Sequence, residues 1–181
     1  MKNLLLIALT LTLTCFITSC KKEIENLPDT TETGANTFGA KINGENWGPL
    51  GFGIVPTAPT LEVRFWGDSS VFINVRNFSR SPVETEMEIY LENISAPGIY
   101  PLNQTTTVFP NHTASYAYYL KRNFTVTDEW ITSSTATGQV QVTRFDRANK
   151  IISGSFSFTA DAKYGSAPLL VTDGRFDLKI Q

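Results

Sequence analysis

Hydrophobic and polar residues alternate along most of the chain from Thr37 onward. A period of two, interrupted by Gly, Pro, Asn and Asp, is typical of half-buried β-strands, whereas the apolar positions of a helix recur every three or four residues. The pattern predicts about nine strands joined by short connections. We therefore expect an all-β fold, an antiparallel β-sandwich or flattened barrel rich in meanders, in a single domain over residues 37–181.

The first predicted hairpin indicates where Trp47 lies. Apolar residues alternate up to an Asn43-Gly44 pair, a dipeptide typical of a two-residue hairpin turn. Such a turn pairs Ala40 with Trp47 across the two strands. Since residues two apart in a strand share a face, Trp47 should lie in the core with Phe38 and Ile42.

Three strands at 61–66, 70–77 and 84–91 are expected to form an antiparallel meander. Their odd-numbered residues are mostly apolar and would face the core, so the even-numbered residues should share the outer face.

The register of this meander predicts the residue pairs on its outer face. The three-residue turn between the first two strands places Arg64 opposite Phe72. The next pairing must match even with even, which should bring Arg76 opposite Glu84 or Glu86.

The second half of the chain continues the strand pattern. Residues 94–102 contain two prolines and are expected to be a turn-rich connection. The last strand should alternate without interruption, with Leu170 and Phe176 on the same face. The other predicted strands cover 115–121, 124–132, 138–145 and a partner strand that contains Ile152, Phe156 and Phe158.

The outer face of the meander carries a candidate ligand or partner surface. Trp66, Phe72 and Tyr90 fall on the polar side of their strands, with Arg64 and Arg76 beside them. Aromatic rings exposed among charges are how sugar-binding modules stack pyranose rings and how protein interfaces begin. Two alternatives remain open: another sheet or a loop covers these rings as a second core layer, or the rings only stabilise neighbouring strands.

The N-terminus has the pattern of a lipoprotein signal peptide over residues 1–19. A lysine at position 2 precedes an apolar run, Leu4 to Ile17, that is too short to span a bilayer. The sequence Ile17-Thr18-Ser19-Cys20 resembles the bacterial lipobox. That resemblance implies cleavage between Ser19 and Cys20 and acylation of Cys20, whose acyl chains would anchor the protein in a membrane.

Residues 20–36 are expected to hold the lipidated cysteine and a flexible tether. They are rich in Asp, Glu, Thr and Asn, and such a segment buries too little apolar surface to offset the entropy lost on ordering. A flexible chain of this length reaches roughly 20–25 Å. Within it, Asp29-Thr30-Thr31 resembles an O-glycosylation sequon and makes Thr30 a candidate modification site, with chance occurrence of the triplet as the alternative.

Composition narrows the chemistry that the chain can carry. The 181 residues have a formal net charge of −2, whereas a nucleic-acid-binding protein is usually basic on one face. Only one histidine and two cysteines occur, and Cys15 lies in the signal peptide, so internal disulfides and Cys-cluster or His-pair metal sites are not expected. His112 has no Gly-x-Ser-x-Gly elbow to serve, and adjacent Asp128 and Glu129 should point to opposite faces of a strand. We therefore expect no catalytic residues, no metal and no cofactor.

Three stretches of the domain carry a family resemblance. They are Asn36-Thr37-Phe38-Gly39 with Asn43-Gly44 and Trp47, the run from Ile151 to Ala160, and the run from Val171 to Asp177. Together they resemble a family of small, uncharacterised single-domain lipoproteins of the Bacteroidota. The resemblance spans most of the mature domain and implies an all-β lipoprotein, but it transfers no activity and no catalytic residue.

The sequence thus predicts a non-enzymatic lipoprotein of the cell envelope, anchored by its lipid in the outer membrane, in either the periplasmic or the surface leaflet. Its expected partners are the membrane and a glycan or envelope protein that contacts the exposed aromatic surface. Two alternatives are a structural or accessory subunit of an envelope complex, whose lipid is its main functional device, and a carboxylate-dependent hydrolase.

Overall fold

A computed structural model describes residues 24–51, 59–67, 69–80 and 82–181. Within these ranges the protein is all-β and contains no helix, as the alternation predicts. The described strands are β1 (Thr37–Ile42), β2 (Glu45–Trp47), β3 (Leu61–Trp66), β4 (Ser70–Arg80), β5 (Val83–Leu91), β6 (Gly98–Leu102), β7 (Tyr116–Asn123), β8 (Thr125–Ile131), β9 (Gly138–Asp146), β10 (Ile151–Ala162) and β11 (Leu169–Lys179).

The strands pair in an antiparallel path that does not close on itself among the described residues. Sheet I has the order β2-β1-β11-β10-β9-β6, and sheet II has the order β3-β4-β5-β7-β8. The end of β10 joins the two sheets, because Asp161 and Ala162 pair with Ile131 and Trp130 of β8. This architecture fits the predicted sandwich or flattened barrel.

The main core lies between the inner faces of the two sheets. Sheet II contributes Ile73 and Ile89, which are fully buried, and sheet I contributes Ile152 and Leu178, which are also fully buried. Aromatic pairs cross between the sheets: Trp47 contacts Tyr119 with ring centroids 5.9 Å apart, and Phe65 contacts Phe145 at 6.2 Å. Burial of these faces is the main source of stability in such a fold.

The prediction for the first hairpin is confirmed. Ala40 pairs with Trp47, and both turn residues, Asn43 and Gly44, have the positive φ that the favoured two-residue turn requires. Trp47 is only 6% exposed, lies edge-on to Phe38 at 6.3 Å, and donates its indole N–H to the Thr85 hydroxyl at 2.9 Å. That hydrogen bond satisfies the one polar group that burial of the indole would otherwise leave unpaired.

The predicted register of the meander is also confirmed. Arg64 pairs with Phe72 across β3 and β4. Arg76 pairs with Glu86 across β4 and β5, one of the two partners that the parity argument allowed. Even-numbered residues of these strands therefore share the outer face of sheet II.

Residues 98–102 correct the expectation of a turn-rich connection. They form β6, which pairs with β9 and places Pro101 opposite Gln139. β6 is an edge strand, and a proline is tolerated there because one side of the strand needs no ladder hydrogen bonds.

The alternation predicted for the last strand is wrong at its beginning. Phe156 pairs with Gly174 but Phe158 pairs with Val171, so β11 has one more residue than β10 between these two pairs. This β-bulge, at which Asp173 has a φ of 53°, reverses the parity of the strand. Val171 is therefore fully buried, whereas Leu170 is 48% exposed.

The N-terminal strap, residues 24–36, corrects the expectation of a flexible tether. It crosses the outer face of sheet I, where the Arg175 guanidinium donates to the Pro28 carbonyl and the Asn46 amide donates to the Glu25 carbonyl. Gly39 leaves room for it, because a Cβ there would lie 2.7 Å from Pro28 Cδ. The strap therefore belongs to the folded domain, although the first regular strand does begin at Thr37.

Asp177 of β11 holds the far end of the strap. Its buried carboxylate accepts hydrogen bonds from the Thr31 hydroxyl at 2.7 Å, from the backbone N–H groups of Thr33, Gly34 and Ala35 at 2.7–3.1 Å, and from the Ser153 hydroxyl at 2.8 Å. Burial acts to raise the pKa of this carboxyl, but the hydrogen bonds outweigh it and hold the pKa well below the usual range. The polar groups of the strap thus donate hydrogen bonds to one carboxylate. The prediction of a flexible tether, which was based on the polar composition of this segment, did not anticipate these bonds.

Candidate ligand-binding face

The outer face of sheet II is built in rows, because directly opposite residues of antiparallel strands share a face. Its first row is Arg64, Phe72, Tyr90 and Tyr116, its second is Glu62, Asn74, Glu88, Tyr118 and Ile131, and its third is Arg76, Glu86, Leu120 and Glu129. The rows change from aromatic to charged along the strands.

The covering loop, residues 103–115, lies over the aromatic row. The Phe109 ring is 5.5 Å from Phe72, and the His112 ring is 3.9 Å from Tyr90, between centroids. Phe72 and Tyr90 are therefore only 4% and 3% exposed. The expected open cluster of Trp66, Phe72 and Tyr90 is wrong for the last two rings, because a loop makes them part of a second core layer.

Tyr116 fastens the covering loop to the sheet. Its hydroxyl accepts a hydrogen bond from the Phe109 backbone N–H at 2.9 Å and donates one to Glu88 Oε2 at 3.1 Å. The hydroxyl of this fully buried tyrosine thus both accepts and donates a hydrogen bond.

Trp66 stays accessible beside this loop. Its side chain is 42% exposed, and the Phe109 ring meets it edge-on with centroids 4.6 Å apart. The Arg64 guanidinium carbon lies 5.9 Å from the Trp66 ring centroid and 4.8 Å from that of Phe72. Contact with two aromatic rings stabilises the cation and fixes its position next to the exposed indole.

Several described polar side chains on the outer face of sheet II have a buried atom without a hydrogen bond. Arg64 Nη1 donates to Glu62 Oε1 at 2.6 Å, while the buried Arg64 Nε has no partner among the described residues. Within the same described part of the chain, the buried Asn74 Oδ1 and Arg76 Nε also lack hydrogen bonds. We call the three residues Glu62, Arg64 and Trp66 the Trp66 face.

A network of charges extends from the Trp66 face toward β7. Arg122 forms a bidentate pair with Glu84 at 2.6 and 2.7 Å and also contacts Glu86 Oε2 at 2.9 Å. Glu86 is 5% exposed, accepts a hydrogen bond from the Asn74 amide, and lies 3.5 Å from Arg76 Nε. Two guanidinium groups and an amide thus compensate the buried charge.

Glu88 is the carboxyl of this face with the most altered acidity. Burial, and to a smaller extent the charge of nearby Glu86, raise its pKa from 4.5 to about 7, while the hydrogen bond from Tyr116 acts in the opposite direction. Glu88 therefore exchanges its proton near neutral pH, directly below the loop that Tyr116 fastens.

The carboxylates considered for hydrolysis do not converge. Asp128 accepts a hydrogen bond from the Ser166 hydroxyl, whereas Glu129 binds Lys163 at 3.1 Å and Tyr164 at 3.3 Å. Among the residues that the structure describes, no group of three or more His, Cys, Asp or Glu side chains could hold a metal ion. The arrangement offers recognition groups: a partly exposed indole, guanidinium donors and carboxylate acceptors.

The predicted processing and modification sites lie at the N-terminus. Ser19 and Cys20 fall outside the described residues, so cleavage and lipidation stay predictions. Thr30 is exposed on the strap, where its modification also stays a prediction. No helix in the described ranges is long and apolar enough to cross a membrane.

Sequence reasoning missed the contributions of Phe109 and His112. Both lie in a loop with no alternating pattern, and nothing in the local sequence says which face a loop covers. The aromatic residue before Pro110 is the one local signal, since an exposed loop rarely needs a phenylalanine.

Comparisons with known proteins give one family. The family model described as "Domain of unknown function (DUF6252)" matches residues 77–177, more than half of the 181-residue chain. The match runs from β4 to β11 and includes Glu86, Tyr116 and Asp177, whereas Arg64 and Trp66 precede it. No curated protein and no solved structure gives a significant match. The chain therefore belongs to the DUF6252 family.

Proposed function

We propose that this protein is a non-enzymatic lipoprotein of the bacterial outer membrane that binds a glycan on the Trp66 face. Two independent features support the proposal: the lipobox resemblance at Cys20, and the exposed indole of Trp66 beside an arginine with an unpaired donor. The resemblance to Bacteroidota lipoproteins agrees with the first feature.

The anchor follows from the chemistry of the N-terminal segment. A short apolar run that ends in Ser19-Cys20 fits acylation of the cysteine sulfur and then of the new amino terminus. Two or three acyl chains hold a protein in a bilayer stably, whereas one chain binds only reversibly.

The choice of a glycan follows from the mixture of groups on the Trp66 face. A sugar ring presents an apolar C–H surface, which stacks on an indole, and hydroxyls, which both donate and accept hydrogen bonds. Trp66 supplies the stacking surface, Arg64 supplies donors beside it, and the Glu62 carboxylate supplies acceptors. A protein partner would need a larger contiguous apolar patch than one partly exposed ring provides.

The single observation that carries the proposal is Arg64. Three aromatic rings surround its guanidinium, including Phe109 at 5.7 Å, while its buried Nε lacks a partner in the described structure. These aromatic contacts hold Arg64 in place, and its side chain is nevertheless 39% exposed. The exposed part of the guanidinium can therefore bind a hydroxyl of a ring stacked on Trp66.

The anchor is tested by replacing Cys20→Ser in the full chain expressed in its bacterial host. The wild-type protein should enter the detergent phase of a detergent-partition experiment, and the variant should remain in the aqueous phase. If the variant still enters the detergent phase, the lipid-anchor proposal is wrong.

Ligand binding is tested by screening the detergent-solubilised full chain on an array of bacterial, host and plant glycans. We expect at least one glycan class to bind the wild type and to be lost in Trp66→Ala. Ile99→Ala is the matched control, since Ile99 is also exposed but lies on β6 of sheet I. If no glycan binds and an envelope protein is crosslinked at Trp66, the proposal of a glycan ligand is wrong and the ligand is a protein.

A further inference from the structure

Exposed apolar side chains concentrate at one end of the sandwich. Among the described residues, six large hydrophobic side chains are exposed, and the structure places four of them at the end that holds the turns between β1 and β2, β4 and β5, and β7 and β8. These four are Phe124, Val126, Tyr164 and Leu170. Trp66 is at the other end, beside the turn from β3 to β4.

Hydrogen bonds and ion pairs show that these turns lie together. Arg80, at the end of β4, lies 3.7 Å from Glu45 of β2. Asn43 of the first turn accepts a hydrogen bond from the Leu170 backbone N–H at 3.0 Å. Val83 of β5 pairs with Asn123, the residue that precedes Phe124. We call this region the Phe124 end.

Phe124 is the most exposed of these residues and has no structural reason to be a phenylalanine. It is 91% exposed at the tip of the β7–β8 hairpin, so it buries almost no apolar surface in the domain. Its φ of 62° lies in the left-handed region, which favours Gly or Asn and strains a residue with a bulky side chain. An exposed aromatic ring in a strained position indicates a contact outside the domain.

The path of the strap brings the lipid attachment site close to this end. Ile24 packs beside Gly48, the residue that follows β2, where an added Cβ would lie 2.9 Å from Ile24 Cδ1. Cys20 precedes Ile24 by only four positions, which limits the distance between them to about 14 Å. The distance along β7 from Tyr119, which contacts Trp47, to Phe124 is about 16 Å at 3.3 Å per residue. The acylated cysteine can therefore reach roughly the level of the hairpin tip.

The charged groups of the Phe124 end are close to balanced. Arg80 faces Glu45, and Lys163 pairs with Glu129 at 3.1 Å. Lys121 is exposed on β7. A surface of this kind is suited to the interface of an uncharged bilayer, where an aromatic ring inserts among headgroups without needing anionic lipid.

We propose that the Phe124 end rests on the membrane in which Cys20 is anchored, with the Phe124 ring in the lipid interface. This inference rests on the lipid anchor of the proposed function. β4 runs from the Trp66 end to the Phe124 end and is eleven residues long, so Trp66, which pairs with Ser70 at the start of β4, stands about 35 Å from the bilayer. The short segment between Cys20 and Ile24 then fixes the orientation of the domain on the membrane as well as its attachment to the membrane.

The test measures the depth of nitroxide labels on the acylated full chain in phosphatidylcholine vesicles. The mature chain has no cysteine other than Cys20, whose sulfur is blocked by lipid, so one introduced cysteine is labelled selectively. Val126→Cys reports on the Phe124 end with Phe124 intact. Ser95→Cys is the matched control, an exposed position beside Ile94, whose N–H binds the Ser69 carbonyl at the Trp66 end.

We expect the label at 126 to be relaxed more by oxygen than by a water-soluble nickel chelate, and the label at 95 to show the opposite order. Phe124→Asn should shift the label at 126 toward the aqueous pattern while the protein stays folded. Equal aqueous accessibility at both positions, in protein that floats with the vesicles, would overturn this orientation but leave the anchor intact. Failure of the acylated wild type to float would instead overturn the anchor itself.

Discussion

The Phe109 ring lies edge-on against Trp66, with centroids 4.6 Å apart, and it defines how much of the outer face of sheet II a ligand can reach. The same ring covers Phe72, which is buried. Because this loop residue covers Phe72, the indole of Trp66 is the part of the aromatic surface that stays accessible, and Phe109 lies beside it. The Trp66 face is for this reason narrow and mostly polar, which favours a sugar ring over a broad protein contact.

Trp47→Ala should destabilise the domain by about 3–5 kcal/mol, the range for truncating a large aromatic residue in a core. Trp47 fills the space between Phe38 and Tyr119, and its indole N–H donates a hydrogen bond to the Thr85 hydroxyl. Urea unfolding followed by circular dichroism measures the change. Trp66→Ala is the control and should cost less than about 1 kcal/mol, because that ring is partly exposed. A small loss for Trp47→Ala would show that its contacts contribute little.

Asp177→Asn should release the N-terminal strap. An amide presents N–H groups where the carboxylate accepts several hydrogen bonds, so we expect a loss of roughly 2–4 kcal/mol and faster proteolysis within residues 24–36. Asp173→Asn is the matched control on the same strand, since the exposed Asp173 carboxylate pairs with Lys41 at 2.9 Å and, within the described structure, forms no hydrogen bond with the strap. Equal proteolysis of the two variants would contradict the role of Asp177.

Gly39→Val tests the strap by steric means, without changing charge. The new side chain would occupy the position of Pro28, because even a Cβ there lies 2.7 Å from Pro28 Cδ. We expect hydrogen exchange of the strap amides to accelerate while the core strands keep their protection. Gly51→Ala is the control, since a Cβ at Gly51 meets its nearest neighbour at 3.9 Å. Unchanged strap protection in Gly39→Val would show that the contact with Pro28 does not hold the strap.

Glu88→Gln should stabilise the protein at pH 8 and flatten its pH dependence. Burial raises the pKa of Glu88 from 4.5 to about 7, so the folded state keeps a proton that the unfolded state loses between these values. Stability from this group is present below pH 4.5 and is lost as pH rises through 7. The difference between variant and wild type should grow to about 3 kcal/mol at pH 8.

Urea unfolding of both proteins from pH 4 to pH 8 measures this difference. Tyr116→Phe provides a second check, because it removes the hydrogen bond that lowers the Glu88 pKa and should move the transition to higher pH. A constant difference between Glu88→Gln and the wild type over the whole range would show that Glu88 titrates normally.

Local sequence rules predicted the parts of this fold that depend on neighbouring residues. A two-residue turn and strict alternation are enough to place Trp47 in the core and Arg64 opposite Phe72. The bulge at Asp173 escaped prediction because Leu169, Leu170 and Val171 are three consecutive apolar residues, so the beginning of the strand fits either parity.

The candidate site could be predicted only in part, because its exposure depends on long-range contacts. The meander pattern identified Trp66, Arg64 and Arg76, but the burial of Phe72 and Tyr90 results from a loop that lies later in the chain. The strap was missed for the same reason: its threonines and backbone amides bind Asp177, more than 140 residues away.

The central claim is tested most directly by the affinity of the full chain for the glycan selected on the array. Isothermal titration calorimetry measures this affinity for the wild type, for Trp66→Ala and for Phe124→Asn. Truncating a tryptophan that anchors a binding site costs about 2 kcal/mol or more, and about 1.4 kcal/mol corresponds to a factor of ten in affinity. We predict that Trp66→Ala weakens binding at least tenfold with unchanged stability, while Phe124→Asn, at the opposite end of the sandwich, binds like the wild type. Equal affinities for the wild type and Trp66→Ala would contradict a glycan site on the Trp66 face.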